Sequence, residues 1–101
     1  MFHILMSLAD RPRHGYGILR EIEGRTDGEV RMGTGTLYSA IRRLLNKGVI
    51  RESSSRPDTD DDERRVYYEL TDEGLAAARG EARRLGLLVA QARSKQLLPR
   101  G

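Results

Sequence analysis

Apolar residues recur at helical spacing through the first half of the chain, and they predict three helices there. The first helix begins near Phe2 and ends near Asp10, where the segment "DRPRHG" introduces a proline and a glycine. The apolar face of the second helix consists of Ile18, Leu19 and Ile22. The third helix is the stretch "GTGTLYSAIRRLLNKG", and Gly48 stands where a residue in the left-handed conformation would end it.

The pattern changes after the third helix to two short segments with strand character. The segment "VIRES" (49–53) begins with two β-branched residues, and "RRVYYEL" (64–70) alternates, with Val66, Tyr68 and Leu70 on one side. The segment between them, "SSRPDTDDDE", is too polar and too charged to be buried. Together they predict a β-hairpin with a long exposed tip, whose two adjacent tyrosines pack the hairpin.

The last segment, residues 71–98, predicts one long helix. Thr71 is a suitable N-cap, and Asp72 and Glu73 stand in the first turn, where the helix dipole favours acids. A seam with the 3-4-3-4-3 spacing of a coiled coil follows. It consists of Leu75, Ala78, Ala82, Leu85, Val89 and Ala92.

Two arrangements would bury this seam: pairing with a second chain, or folding back onto the chain's own domain. Gly80 and Gly86 each cost the helix roughly 1 kcal/mol relative to alanine, and close packing of small residues against a second chain would offset that cost. A domain of about seventy residues also gains from burial across a two-fold axis. We therefore expect a homodimer.

The order of the elements is three helices, two strands and a long helix, which is the order of a winged helix-turn-helix with a dimerisation helix attached. The expected fold class is mainly α with a small β-hairpin (α+β). Residues 1–70 would form the winged helix-turn-helix domain, and residues 71–98 the C-terminal dimerisation helix.

On a helical projection, the third helix has one apolar face and one polar face. The apolar stripe consists of Leu37, Ile41, Leu44 and Leu45. The opposite side carries hydroxyls, an amide, guanidinium groups and an aromatic ring. Arginine can bind a guanine edge or a phosphate, asparagine can read adenine, and hydroxyls and N–H groups at a helix start can hold phosphates. Such a helix fits the major groove of DNA.

The alternative interpretation is that Arg42 and Arg43 are ordinary solvated surface. The chain has 15 acidic residues, yet none lies between Gly33 and Lys47. This absence and the order of the elements favour DNA binding.

Charge and composition exclude only a few kinds of site and do not identify the binding partner. The chain of 101 residues has a formal net charge of +3 and a pI of about 9.7, which is compatible with a polyanionic partner without requiring one. It contains no cysteine, which excludes disulfides, thiolate chemistry and cysteine-based zinc sites. No apolar run approaches the roughly 20 residues that span a bilayer, so we expect a soluble cytoplasmic protein without a membrane partner.

The sequence offers no motif for catalysis. "GTGT" is not followed by the Lys-Ser/Thr of a P-loop, and His3 and His14 are too few for a zinc triad or a nucleophile–base pair. The acidic run in the hairpin tip is more simply a solvated loop than a metal site. We expect no enzymatic activity, no cofactor and no metal.

Three motifs together resemble the PadR family of bacterial transcriptional regulators. "HGYGILREIE", "GTGTLYSAIRRLLNKGVI" and "RRVYYELTDEG" follow one another in the family's order and spacing and cover roughly residues 4–74. The short C-terminal part is similar to the smaller PadR subfamily. The resemblance implies a homodimeric winged helix-turn-helix repressor that binds operator DNA. It also implies release of that DNA when a small-molecule effector or another signal arrives. Two recognition helices of the dimer would reach successive major grooves of double-stranded DNA about 34 Å apart, which predicts a pseudo-palindromic operator.

The resemblance also assigns roles by position. It implies that Tyr16 lies near the phosphate backbone and that Arg64 and Arg65 hold the wing, which is the predicted β-hairpin of residues 49–70, against DNA. The full expected DNA-binding set is Tyr16, Thr34, Gly35, Thr36, Tyr38, Ser39, Arg42, Arg43, Asn46, Arg64 and Arg65. His14 and Gly15 would shape the turn before the second helix rather than contact a partner.

The tip of the predicted wing is acidic. The acidic residues between Asp58 and Glu63 would be repelled by phosphates, so we expect the wing tip to point away from DNA.

The alternative function is a winged-helix module that binds a protein partner or RNA instead of operator DNA. Salt-sensitive binding to a palindromic duplex distinguishes the two functions.

Overall fold

Four helices and three short strands make up the described part of the chain, which comprises residues 1–55 and 64–99 of the computed structural model. They follow the expected order, with one strand added. The elements are α1 (Phe2–Ser7), β1 (Arg13–His14), α2 (Gly15–Arg25), α3 (Thr34–Asn46), β2 (Ile50–Ser53), β3 (Tyr67–Leu70) and α4 (Asp72–Ser94). The mainly helical fold class with a small sheet and a long C-terminal helix is confirmed.

The sheet has three antiparallel strands in the order β1-β3-β2. β2 and β3 form the expected hairpin, but the prediction that 10–15 is only a turn was wrong. Arg13 pairs with Tyr68, and His14 pairs with Tyr67, so this segment forms a two-residue edge strand. Two residues are too few to show an alternating pattern, and only the pairing with β3 makes them a strand.

Burial along β3 also differs from the predicted alternation. Val66 was expected on the same side of the strand as Tyr68, but it precedes the strand and is 42% exposed, whereas Tyr68 is buried. Tyr68 is buried in the core, and Tyr67 is buried as well, with its ring edge-to-face against His14 at a centroid distance of 5.2 Å. Both tyrosines therefore pack the hairpin, one on each side of the strand.

One hydrophobic core holds the helices to the sheet. All four helices and the sheet contribute residues to it, and so does Leu8, which follows α1. Its members are Ile4, Leu5, Leu8, Ile18, Ile22, Leu37, Ala40, Ile41, Leu44, Ile50, Tyr68 and Ala78. α1 ends at Ser7, a turn earlier than expected, and the Ser7 hydroxyl donates a hydrogen bond to the Ile4 carbonyl.

The end of α3 is joined to the start of α4 by a compact junction. Gly48 has a φ of +74° and ends the helix in the left-handed conformation, as expected. The Thr71 hydroxyl donates a hydrogen bond to the Gly48 carbonyl (2.6 Å), and the Thr71 N–H donates to the Val49 carbonyl (3.1 Å). The same hydroxyl accepts from the Gly74 N–H (3.0 Å), which confirms Thr71 as the N-cap of α4.

Gly74 completes this junction because it has no side chain. A Cβ atom at residue 74 would overlap the Val49 carbonyl oxygen and lie 2.8 Å from the Val49 carbonyl carbon. Backbone atoms cannot move aside as a flexible side chain can. The first turn of α4 therefore lies directly on the turn between α3 and β2.

α4 packs on the core only through its first turns. Ala78 is 9% exposed, and Leu75 is half-buried, so this part of the seam packs largely on the chain's own core. The helix then extends beyond the rest of the domain, and the radius of gyration is 15.5 Å, against about 13 Å for a compact chain of this length. The division into residues 1–70 and 71–98 stays a prediction.

The far part of α4 carries the exposed apolar residues. Leu85 and Val89 of the seam are each 37% exposed, and Leu88 beside them is 48% exposed. The helix ends at Ser94, earlier than residue 98, because Gln96 adopts a left-handed conformation (φ +65°) and the Leu97 N–H donates to the Ala92 carbonyl. Within the described residues, no helix is both long enough and apolar enough to cross a membrane.

The junction yields a test of stability. Gly74→Ala should lower the free energy of unfolding by about 1–3 kcal/mol, because the new methyl group forces the Val49 backbone away from α4. Gly24→Ala in α2 is the matched control, since a Cβ there meets no atom within 4 Å. It should raise the stability by up to about 1 kcal/mol through helix propensity. Urea unfolding at one protein concentration measures both, and equal effects of the two substitutions would contradict the junction.

Candidate nucleic-acid interface

The outward face of α3 is exposed to solvent. Leu37, Ile41 and Leu44 point into the core and are at most 2% exposed. All the α3 residues of the expected DNA-binding set are exposed, and they are Thr34, Gly35, Thr36, Tyr38, Ser39, Arg42, Arg43 and Asn46. They form a strip along the helix rather than a cluster, because thirteen residues span roughly 20 Å.

The start of α3 leaves backbone donors available. Its N-cap is Gly33, which has no side chain to accept a hydrogen bond from the first turn. The N–H groups of Thr34, Gly35 and Thr36 precede the first helical hydrogen bond, which runs from the Leu37 N–H to the Gly33 carbonyl. Such donors and the positive end of the helix dipole favour an anion at this point.

Arg42 and Arg43 are exposed and have no acidic partner among residues 1–55 and 64–99. Other arginines of the domain do have one: Arg25 pairs with Glu21 at 2.8 Å, and Arg51 pairs with Glu69 at 2.7 Å. The hydrogen bonds from Ser53 and Arg51 hold the pKa of Glu69 below its usual value. Among the described residues, the positive charge of Arg42 and Arg43 is therefore not neutralised by an ion pair, whereas that of Arg51 on the sheet is paired with Glu69.

The start of α2 places Tyr16 beside two arginines. His14 is the N-cap, and its Nδ1 accepts a hydrogen bond from the Gly17 N–H at 3.0 Å. Tyr16 is 53% exposed, and the guanidinium groups of Arg20 and Arg65 lie 5.6 and 6.0 Å from its ring centroid. The ring is thus within cation–π distance of a cation of α2 and of a cation at the base of the wing.

His14 was missed as a member of the site. It is 8% exposed, and its Nε2 lies 2.9 Å from Nη1 of Arg65, so the histidine links the start of α2 to the base of the wing. Its position in the sequence predicted only a role in shaping the turn before α2. No local pattern could have shown this link, because the two residues are 51 positions apart.

A groove of about 230 Å³ lies where α2, α3 and the wing meet. It brings together Tyr16, Tyr38, Arg64 and Arg65 of the expected set. Its lining residues are His14, Gly15, Tyr16, Tyr38, Arg64, Arg65, Val66 and Tyr68. Burial, and to a smaller extent Tyr38 and Glu52, raise the pKa of the Tyr68 phenol, so this hydroxyl is a neutral hydrogen-bonding group at physiological pH.

The remaining expected site features lie elsewhere. Asn46 stands at the far end of α3, away from the groove. The seam residues Ala82, Leu85, Val89 and Ala92 lie on the extended part of α4. The acidic wing tip, Asp58 to Glu63, lies outside the described residues, and so does its expected direction.

Comparison with known proteins identifies the family. Residues 4–80 match the model of the transcriptional regulator PadR-like family. A curated but uncharacterized protein of Lysinibacillus sphaericus is 36% identical over 73 residues, which cover 72% of this chain and 65% of that protein, somewhat less than two thirds of its length.

Solved structures show the same fold. A transcriptional regulator of Clostridium thermocellum is 28% identical with a TM-score of 0.75, over 92% of this chain and 85% of that one. A PadR-like regulator of Bacillus cereus is 19% identical with a TM-score of 0.76, over 98% and 91%. Bacillus subtilis PadR, solved in complex with operator DNA, is 20% identical with a TM-score of 0.66, over 80% and 44%. The chain therefore belongs to the PadR-like family of transcriptional regulators.

Proposed function

We propose that this regulator binds a double-stranded operator through α3, as a homodimer. The observation that carries the proposal is the exposed, acid-free face of α3, on which Arg42 and Arg43 have no acidic partner among the described residues. A strip of guanidinium, hydroxyl and amide groups about 20 Å long fits the floor and walls of a major groove. The complex of Bacillus subtilis PadR with its operator supports the proposal by fold.

The other two elements of the face would hold the DNA backbone. Tyr16 and Arg65 lie together at the start of α2 and the base of the wing, and they flank the groove beside Tyr38. Arginine and tyrosine side chains at such positions bind phosphate oxygens and fix the orientation of the helix in the groove.

Dimerisation would supply the second half of the binding site. The exposed stripe of Leu85, Leu88 and Val89 continues the same helix face that carries Ala78 into the core. A second copy of α4 would cover this stripe and place two α3 helices about 34 Å apart, so that they enter successive major grooves. The operator would then be pseudo-palindromic.

The regulatory mode completes the proposal. A dimer bound to an operator that overlaps a promoter would exclude the polymerase, which makes repression the expected effect. Release by a small-molecule effector or another signal is what the family resemblance implies. The rival functions, binding of a protein or of RNA, are separated from this one by the first experiment below.

Binding to the duplex upstream of the chain's own coding region should depend steeply on salt. If each dimer neutralises 6–10 phosphates, the affinity should fall about 10³–10⁵-fold between 50 and 200 mM salt. Arg42→Ala should weaken binding by about 1–3 kcal/mol if Arg42 reads a base, with relaxed preference at one position. Arg79→Ala, an exposed arginine on α4, is the control and should change little. Fluorescence anisotropy gives these affinities.

The opposite results would point elsewhere. Salt-insensitive binding, or equal affinity of Arg42→Ala and the unaltered protein, would remove α3 from the interface. A preference for single-stranded or structured RNA over every duplex would favour the RNA alternative.

The dimer has its own matched pair of substitutions. Leu85→Glu should give monomers in sedimentation velocity, because it places a charge in the apolar stripe of α4. Leu87→Glu is the control, since Leu87 is 63% exposed and points to the opposite side of the helix. Dimers that persist in Leu85→Glu at the same concentration, or dissociation by both variants, would refute the stripe as the interface.

A further inference from the structure

Gly15, the first residue of α2, is buried beneath the ring of Tyr38 from α3. A Cβ atom at residue 15 would overlap the Tyr38 hydroxyl oxygen and lie 2.8 Å from Cζ and 3.2 Å from Cε1 of the ring. Cβ atoms in proteins essentially never approach another heavy atom within 3.0 Å. The ring of Tyr38 occupies its position only because residue 15 has no side chain.

The backbone gives no other reason for glycine at this position. Gly15 does not have a positive φ, unlike Gly28 and Gly48. Inside a helix, glycine is less favourable than alanine by up to about 1 kcal/mol. What glycine supplies at residue 15 is therefore space for the tyrosine.

Tyr38 stands where the three parts of the candidate interface meet. Its ring packs on the start of α2, and it lines the groove with Tyr68 and Arg65 at the base of the wing. The side chain is nevertheless 43% exposed, and it lies one turn before Arg42 on the outward face of α3. The ring of Tyr38 therefore packs against Gly15, and a large part of the side chain is still exposed to solvent.

We propose that Gly15 is a positioning residue that seats Tyr38, and that this seat sets the orientation of Tyr38 and the adjoining face of α3 for specific DNA recognition. The inference rests on the proposed DNA binding. A methyl group at residue 15 displaces the tip of a side chain that can rotate outward, whereas at Gly74 it meets the backbone of Val49. The fold therefore tolerates Gly15→Ala, and the displaced ring enters the space where DNA lies.

The test is a double-mutant cycle with Gly15→Ala, Tyr38→Ala and the double variant. Each is measured for affinity to a specific and a nonspecific duplex, and for thermal unfolding. Low ionic strength keeps the weakest variant measurable. Gly24→Ala is the matched control, because it lies in the same helix and a Cβ there meets no atom within 4 Å.

Gly15→Ala should weaken specific binding about tenfold or more, the size of one lost base contact, with a smaller effect on the nonspecific duplex. Its Tm should equal or exceed that of the unaltered protein. In the Tyr38→Ala background, the same substitution should have no further effect on affinity. Gly24→Ala should bind as the unaltered protein does.

Each contrary outcome overturns the inference. Additive losses from Gly15→Ala and Tyr38→Ala, or unaltered specific binding by Gly15→Ala, would show that Gly15 does not act through Tyr38. Loss of folding in Gly15→Ala would make the glycine structural instead. If the unaltered protein binds no duplex, the proposed function fails along with the inference, whereas binding with additive losses overturns the inference alone.

Discussion

The junction between the end of α3 and the start of α4 is the constraint on which the rest of the molecule depends. Thr71 donates to the carbonyls of Gly48 and Val49 and accepts from Gly74, and the missing side chain of Gly74 lets the two backbones touch. One threonine thus caps α4 and fixes the turn that ends α3. α4 carries the exposed apolar stripe, and α3 carries arginines that have no acidic partner among residues 1–55 and 64–99. In the proposed dimer, this junction would therefore set the spacing of the two α3 helices.

The distribution of ion pairs in the domain separates the outward face of α3 from the rest of the surface. Acidic partners neutralise arginines on α2 and across the hairpin, as in the pairs Arg25–Glu21 and Arg51–Glu69, while the outward face of α3 has no acid. The start of α2 and the base of the wing reach the same region through His14 and Arg65. Three elements that are distant in the sequence therefore bring arginines to one region, with Tyr38 where the elements meet. Electrostatic attraction to phosphates would bring DNA to that region. Side chains held in place by packing, such as Tyr38, would then fix the position of the DNA along α3.

Most of the fold could be predicted from local sequence patterns. α2, α3 and α4 were predictable because helical periodicity, the Thr71 N-cap and the left-handed Gly48 are all encoded within a few residues. β1 was missed because a two-residue strand exists only through its pairing with β3, and the exposure of Val66 shows that alternation fails at the beginning of a strand. The same limit applies to the site. Exposed residues of α3 followed from one helical projection, but the seat of Tyr38 on Gly15 joins residues 23 positions apart and required the three-dimensional structure.

The central claim is that two copies of the outward face of α3 lie along one duplex. Selection of binding sites from a random double-stranded library, followed by sequencing of the bound pool, tests it most directly. The account predicts an enriched inverted repeat whose half-sites are centred about one helical turn, roughly 10 base pairs, apart. A pool without any enriched sequence, or one enriched only in a single asymmetric element, would contradict it.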